Sequence, residues 1–171
     1  MEIKKDKLTV KIYPSNNEMA KEAATDVAFS IKKLLSEKEY INMIFAAAPS
    51  QSAFMDELTA QKDIDWERIN AFHMDEYIGL EKEAPQGFGN FLKRNLFEKV
   101  PFRQIHYLNG QQPLEEECRR YSSLLEEYPA DLVCLGIGEN GHIAFNDLHV
   151  AVFNDPLRVK VVNLADLCRQ H

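Results

Sequence analysis

The chain has 171 residues, within the ~100–200 usual for one domain, and its 45% hydrophobic and 27% charged residues fit a packed globular protein rather than a disordered one. Twenty Lys and Arg against 27 Asp and Glu leave a formal net charge of −7, which argues against non-specific binding to nucleic acid or an anionic membrane. No apolar run reaches the ~18–20 residues of a membrane span, and the N-terminal MEIKKDKLTVKIYP lacks the apolar core of a secretion signal.

In chain order, Leu8–Tyr13 alternates apolar and polar residues and predicts a half-covered strand. Pro14 ends it, and Ser15 with Glu18 has the spacing of a capping box. Met19, Ala20, Ala23, Ala24, Val27, Ile31, Leu34 and Leu35 then recur at three and four residues, one face of a helix. The apolar run Ile41–Ala48 predicts a strand covered on both sides, followed by a break at Pro49-Ser50 and a helix from Ser52 to Ala60. Trp66–Met74 reads as a strand and Pro85–Val100 as a helix with Phe88, Phe91, Leu92 and Leu96 or Phe97 inward. A short strand Ile105–Leu108, a turn at Asn109-Gly110, a helix Pro113–Tyr128 with early glutamates and a buried strand Leu132–Ile137 follow. Leu157–Val162 reads as one more strand, with a helix beginning as the chain reaches His171. Strands spaced by helices give an α/β fold, a Rossmann-like three-layer α/β/α arrangement around a mostly parallel sheet, in a single domain over 1–171.

Ligands of such sheets bind beyond the carboxyl ends of the strands, which selects three segments. The first, Leu135–Asp147, reads LGIGENGHIAFND. Gly136, Gly138 and Gly141 permit sharp turns and close approach of a ligand, but the helix required after a dinucleotide G-x-G-x-x-G is missing. His142 suits proton transfer near neutral pH, and Asn140 and Asp147 lie close enough in sequence to orient it; a turn with a capped histidine fits the same residues. The second segment, Phe72–Leu80, carries consecutive Asp75 and Glu76, which must point different ways. One can enter a pocket as a base while the other caps or pairs, although two capping residues fit equally; His73 reads as strand packing. The third, Ala48, Pro49, Ser50 and Gln51, stands where a strand–turn–helix junction presents N–H groups to a phosphate, without the glycines and lysine of a P-loop. No histidine pair has zinc-binding spacing, no G-x-S-x-G elbow occurs, and Cys118, Cys134 and Cys168 are too dispersed for a disulfide scaffold or zinc site; a reducing cytoplasm is the expected location.

Together FHMDEYIGL (72–80) and GIGENGHIAFND (136–147) resemble the glucosamine-6-phosphate deaminase/isomerase family, in order and spacing, over nearly the whole chain. The related 6-phosphogluconolactonases share the Gly-His step but typically continue with a Ser-Leu-Phe-Pro-like segment, where this chain has Ala144-Phe145-Asn146-Asp147. The resemblance implies a cofactor-free conversion of an amino-sugar 6-phosphate, glucosamine 6-phosphate or a close epimer, to a ketose phosphate and ammonia. Asp75 matches the base that removes the C2 proton and His142 the residue that opens the sugar ring. Asn140 and Asp147 match the partners that orient the histidine. Ala48, Pro49, Ser50, Gln51, Glu76, Gly138 and Gly141 are the expected substrate-binding residues. A lactonase-like hydrolase and a non-catalytic sugar-phosphate binder are the alternatives, and a homo-oligomer is compatible with the sequence. The chain departs from the family in Asn140 for Asp, Asp147 for Glu, Leu148 for Pro, and Ala-Pro-Ser-Gln for the phosphate loop's Gly-Gly-Thr. Family members also continue past the point where this chain ends, so the resemblance implies a C-terminally shortened member with weak activity on its own.

Overall fold

The computed structural model describes residues 1–138 and 140–164. Strands β3 (Ile41–Phe45), β4 (Ile69–His73), β5 (Gln104–His106) and β6 (Leu132–Cys134) form a parallel sheet in the order β5-β4-β3-β6. The chain therefore runs outward from β3 through β4 to β5, then returns to the other side of β3. That reversal creates a crevice beside β3 at the carboxyl end of the sheet.

Helix α1 (Asn16–Glu37) starts as expected: the Ser15 hydroxyl accepts the Glu18 N–H at 3.2 Å, and the Ser15 O–H donates to the Glu18 carboxylate. Its buried stripe is Ala20, Ala24, Ala28, Ile31 and Leu35. Three alanines let α1 approach α2 (Ser52–Thr59) closely, and Phe54, Met55 and Leu58 face back. Ile41, Met43 and Phe45 of β3 join that core from below, with Leu92 of α3 (Phe88–Leu92) and Leu96 and Phe97 of the π-helical turn that continues it. On the opposite face Phe72 stacks on His106 and meets Tyr121 of α4 (Leu114–Glu127) edge-on. Helices thus cover both faces, which is why β3 and β4 consist almost wholly of buried residues. Cys134 is buried in β6, and burial pushes its thiol up to about 12. Among the described residues no helix is long and apolar enough to cross a membrane.

Two expectations are corrected. Residues Leu8–Lys11 form β2, but it pairs with β1 (Glu2–Lys5) in an antiparallel ribbon outside the main sheet, and Ile3, Leu8 and Val10 are exposed. Alternation along a strand separates two faces; it does not supply a layer to cover either. Leu157–Val162 is irregular rather than a strand, and its apolar residues line a cleft instead of pairing with a neighbour. The helix expected near the end of the chain, and Cys168, lie outside the described residues.

A buried amide ladder crosses the amino ends of the strands. Asn42 and Asn70 are register partners, and Asn70 Nδ2 donates to Asn42 Oδ1 at 2.8 Å. Asn42 Nδ2 donates to the Pro129 carbonyl at 3.0 Å, and Arg103 donates to Asn70 Oδ1 at 3.3 Å. Slipping β4 by one residue would separate the two amides and leave the buried Asn42 Oδ1 without its donor. Asn42→Leu should therefore cost about 1–3 kcal/mol in urea unfolding, and adding Asn70→Leu should cost less than the sum of the single changes, because no orphaned amide then remains between the strands.

Candidate active site

The register brings three strand ends level: Phe45 lies opposite both His73 and Cys134. Backbone bonds carry the alignment past them, from Met74 N–H to the Phe45 carbonyl at 3.1 Å and from Ala46 N–H to the Cys134 carbonyl at 2.9 Å. The three segments selected from sequence leave the same edge of the sheet.

Asp75 and Glu76 diverge as their adjacency requires. Glu76 turns into the fold: Oε1 accepts the N–H groups of Tyr77 (2.9 Å) and Phe88 (3.0 Å), and Oε2 accepts that of Gly89 (2.8 Å). It caps α3. Glu76, expected among the substrate-binding residues, also lines the cleft that Asp75 faces, while its carboxylate is held by three backbone donors. Asp75 turns toward a cleft of about 850 Å³, lined also by Tyr77, Asn109, Ile143, Phe145 and Lys160. Its Oδ1 is buried with no hydrogen-bond partner among the described residues. Burial, with the Glu76 charge adding to it, raises its carboxyl to about 7. His73 is fully buried in β4; desolvation pushes its pKa down, with its Nε2 3.9 Å from Glu76 Oε2. That fits the packing role expected from sequence.

The second constellation follows β6. Asp147, 1% exposed, accepts from Asn140 Nδ2 at 2.8 Å. A carboxylate only accepts, so the Asn140 amide must face it with its nitrogen and turn Oδ1 the other way. That Oδ1 accepts the His142 backbone N–H at 3.1 Å and lies 2.7 Å from His142 Nδ1; Nδ1 is also 3.3 Å from Asp147 Oδ1. The Asp147–Asn140 order thus makes Nδ1 the donor toward Asn140. The imidazole sits against Gly138, where an added Cβ would overlap Cε1, Nε2 and Nδ1 of the ring. Gly138, expected as a substrate contact, is therefore also the seat of His142. Gly141, with φ +84°, makes the turn between Asn140 and His142.

Pro49–Gln51 forms a 3₁₀ turn leading into α2, with Gln51 N–H bonded to the Ala48 carbonyl at 2.8 Å. Gln51 reaches Gly136, so this loop borders the His142 segment. Neither loop 48–51 nor the His142 side chain is part of the wall of the Asp75 cleft, whereas the next residues, Ile143–Asn146, are. Sequence reasoning missed the rings that join these parts. Tyr77 lies 5.5 Å from Phe145 and 4.7 Å from Phe88, centroid to centroid. The signal was only an aromatic residue within each motif, Tyr77 and Phe145.

Residues 14–145 match the model of the glucosamine-6-phosphate isomerases/6-phosphogluconolactonase family. The chain belongs to this family. It is 37% identical over 141 residues to a glucosamine-6-phosphate deaminase of Bacillus cereus strain B4264, covering 82% of this chain and 52% of the relative. It is 36% identical over 141 residues, with the same coverage, to a glucosamine-6-phosphate deaminase of Bacillus thuringiensis strain Al Hakam. The chain thus spans about half the length of the curated relatives it matches. Among solved structures it resembles a monomeric glucosamine-6-phosphate deaminase of the NagB superfamily (TM-score 0.79, 28% identity, 91% of this chain and 65% of that one). It also resembles a 6-phosphogluconolactonase from Thermotoga maritima (TM-score 0.66, 27% identity, 73% and 58%). The α/β architecture and the enzyme family read from the two motifs are those of these relatives.

Two outcomes follow from the site's geometry. The Asp75 carboxyl, raised from its usual range to about 7, opposes folding as it ionises, so its cost grows from about pH 4 to about pH 7 and is full above that. Urea midpoints should show Asp75→Asn gaining stability over the parent at pH 8 and little or none at pH 4. Gly138→Ala should displace the His142 ring, visible as loss of the nuclear Overhauser contact between His142 and Asn140, at a cost of about 1–3 kcal/mol.

Proposed function

We propose that this chain carries the proton-transfer centre of an amino-sugar-phosphate deaminase/isomerase, acting on glucosamine 6-phosphate or a close epimer. The observation that carries the reading is the Asp75 carboxyl, partly desolvated on the cleft and raised to about 7, where it can accept a proton from carbon at neutral pH. His142 supports it as a second proton carrier, with its Nδ1 held by Asn140 and Asp147.

In this reading His142 takes the anomeric hydroxyl proton and returns a proton to the ring oxygen as the C1–O5 bond breaks. The open chain exposes the C1 carbonyl, which acidifies the C2 proton. Asp75 removes that proton, forming an enolamine, and returns it to C1. The resulting C2 imine takes up one water, giving the ketone and ammonia. In this reading the side chains of Ser50 and Gln51, on the loop that borders the His142 segment, are the donors offered to the phosphate. No step draws on a cofactor.

The test is ammonia release and solvent deuterium at carbon, with the 171-residue chain and several amino-sugar phosphates. Asp75→Asn should lower deuterium incorporation about 10²–10⁴-fold with unchanged circular dichroism; undiminished exchange would remove Asp75 from the reaction. In the parent, kcat/KM should rise with pH and level off above about 7, because the base acts only when ionised. Acid release from a 6-phospholactone without ammonia from any amino sugar would favour the lactonase branch, to which the resemblance to the Thermotoga maritima structure gives standing. Thermal stabilisation by sugar phosphate without turnover would indicate a binder.

A further inference from the structure

We propose that Tyr77, Phe88 and Phe145 form an aromatic clasp that fixes the Asp75 and His142 segments relative to each other, which makes the three rings positioning residues of the candidate active site. The two segments leave β4 and β6, which are not neighbours: β3 lies between them. Tyr77 stands two residues after Asp75, and Phe145 three residues after His142. Their centroids are 5.5 Å apart; Phe88 closes the group at 4.7 Å from Tyr77 and 5.7 Å from Phe145, nearly parallel to the latter. These are stacking distances, at which one ring cannot move without opening a gap beside the other two.

Each ring is tied to its segment by the backbone. Phe88 donates its N–H to Glu76, the residue after Asp75, at 3.0 Å. Phe145 sits in a tight turn closed by the Ile143–Asn146 bridge, in which Ala144 takes φ +52°. A left-handed alanine is unfavourable, so something must hold the turn in this form. The stacked rings supply that hold, and the turn in turn directs Phe145 at Tyr77. The same turn follows His142 directly, so a shift of Phe145 displaces the histidine's chain. Tyr77 and Phe145 both line the cleft that Asp75 faces, which places the clasp on its wall rather than in the distant core.

The structural part of this inference stands without any assumed reaction; its kinetic part rests on the deaminase/isomerase reading. Hydrogen–deuterium exchange of the 171-residue chain, read in peptides spanning 74–80 and 140–147, tests the first. Phe145→Leu should speed exchange about tenfold in both segments, including the one in which nothing was changed, while Phe145→Tyr keeps both near the parent rates. Faster exchange confined to 140–147 would reduce Phe145 to local packing and overturn the clasp. Should Phe145→Leu not fold, Phe88→Leu is measured instead: acceleration in both 74–80 and 140–147 supports the clasp, and acceleration in only one overturns it. In the kinetic arm, Phe145→Leu should lower kcat about tenfold with KM within about twofold, restored by Phe145→Tyr. A fall in KM-linked binding alone would contradict positioning. If no amino-sugar phosphate turns over in the parent, the deaminase reading fails while the exchange arm still decides the clasp.

Discussion

The alignment of β3 with its two neighbours is the constraint from which the candidate site follows. Phe45 faces His73 on one side and Cys134 on the other, so the chain leaves three strands at one level. Any residue placed a fixed distance beyond those ends is brought to one edge, whatever the sequence between. The Asn42–Asn70 pair at the opposite end makes this alignment specific, because apolar packing alone would accept more than one sliding position. A polar contact far from the cleft thus governs the geometry at its mouth.

Two adjacent carboxylates show how the same edge handles charge in opposite ways. Glu76 is surrounded by backbone donors at a helix start, which replace the water it loses. Asp75, one residue earlier, is desolvated without such replacement, and its ionisation is deferred toward neutrality. Ionisation at this position costs stability, and a base poised near pH 7 is what the proposed role of Asp75 requires. The strained Ala144 turn belongs to the same pattern: local backbone cost concentrated beside the groups that are proposed to act.

Much of this was legible in the sequence. Helix α1 was marked by Ser15, Glu18 and an alanine stripe, and the central parallel strands by largely apolar runs. The divergence of Asp75 and Glu76 followed from adjacency alone. The cluster of Asn140, His142 and Asp147 was legible as neighbours, although the direction of the Asn140 amide required the burial of Asp147 to be seen. What failed were features set by absent or distant partners. Leu8–Lys11 alternates correctly yet joins a ribbon whose apolar residues have no covering layer, and Leu157–Val162 has strand-like composition but no strand to pair with. The Tyr77–Phe88–Phe145 group was invisible because its members come from three elements, and no periodicity relates positions across a sheet. The room that Gly138 leaves for the imidazole was a further role its spacing did not reveal.

The burial of Cys134 gives the sheet a built-in chemical reporter. Burial keeps its thiol protonated at neutral pH and shields the sulfur from water, so the folded sheet slows its reaction with alkylating agents and peroxide. Once β6 separates from β3 the sulfur meets water and regains ordinary nucleophilicity. Cys118, half-buried on α4 with its thiol also raised by burial, experiences a milder version of the same protection. The rate at which a small alkylating agent marks Cys134 is therefore a clock for the opening of the strand that precedes His142, kept by an atom the chain already possesses.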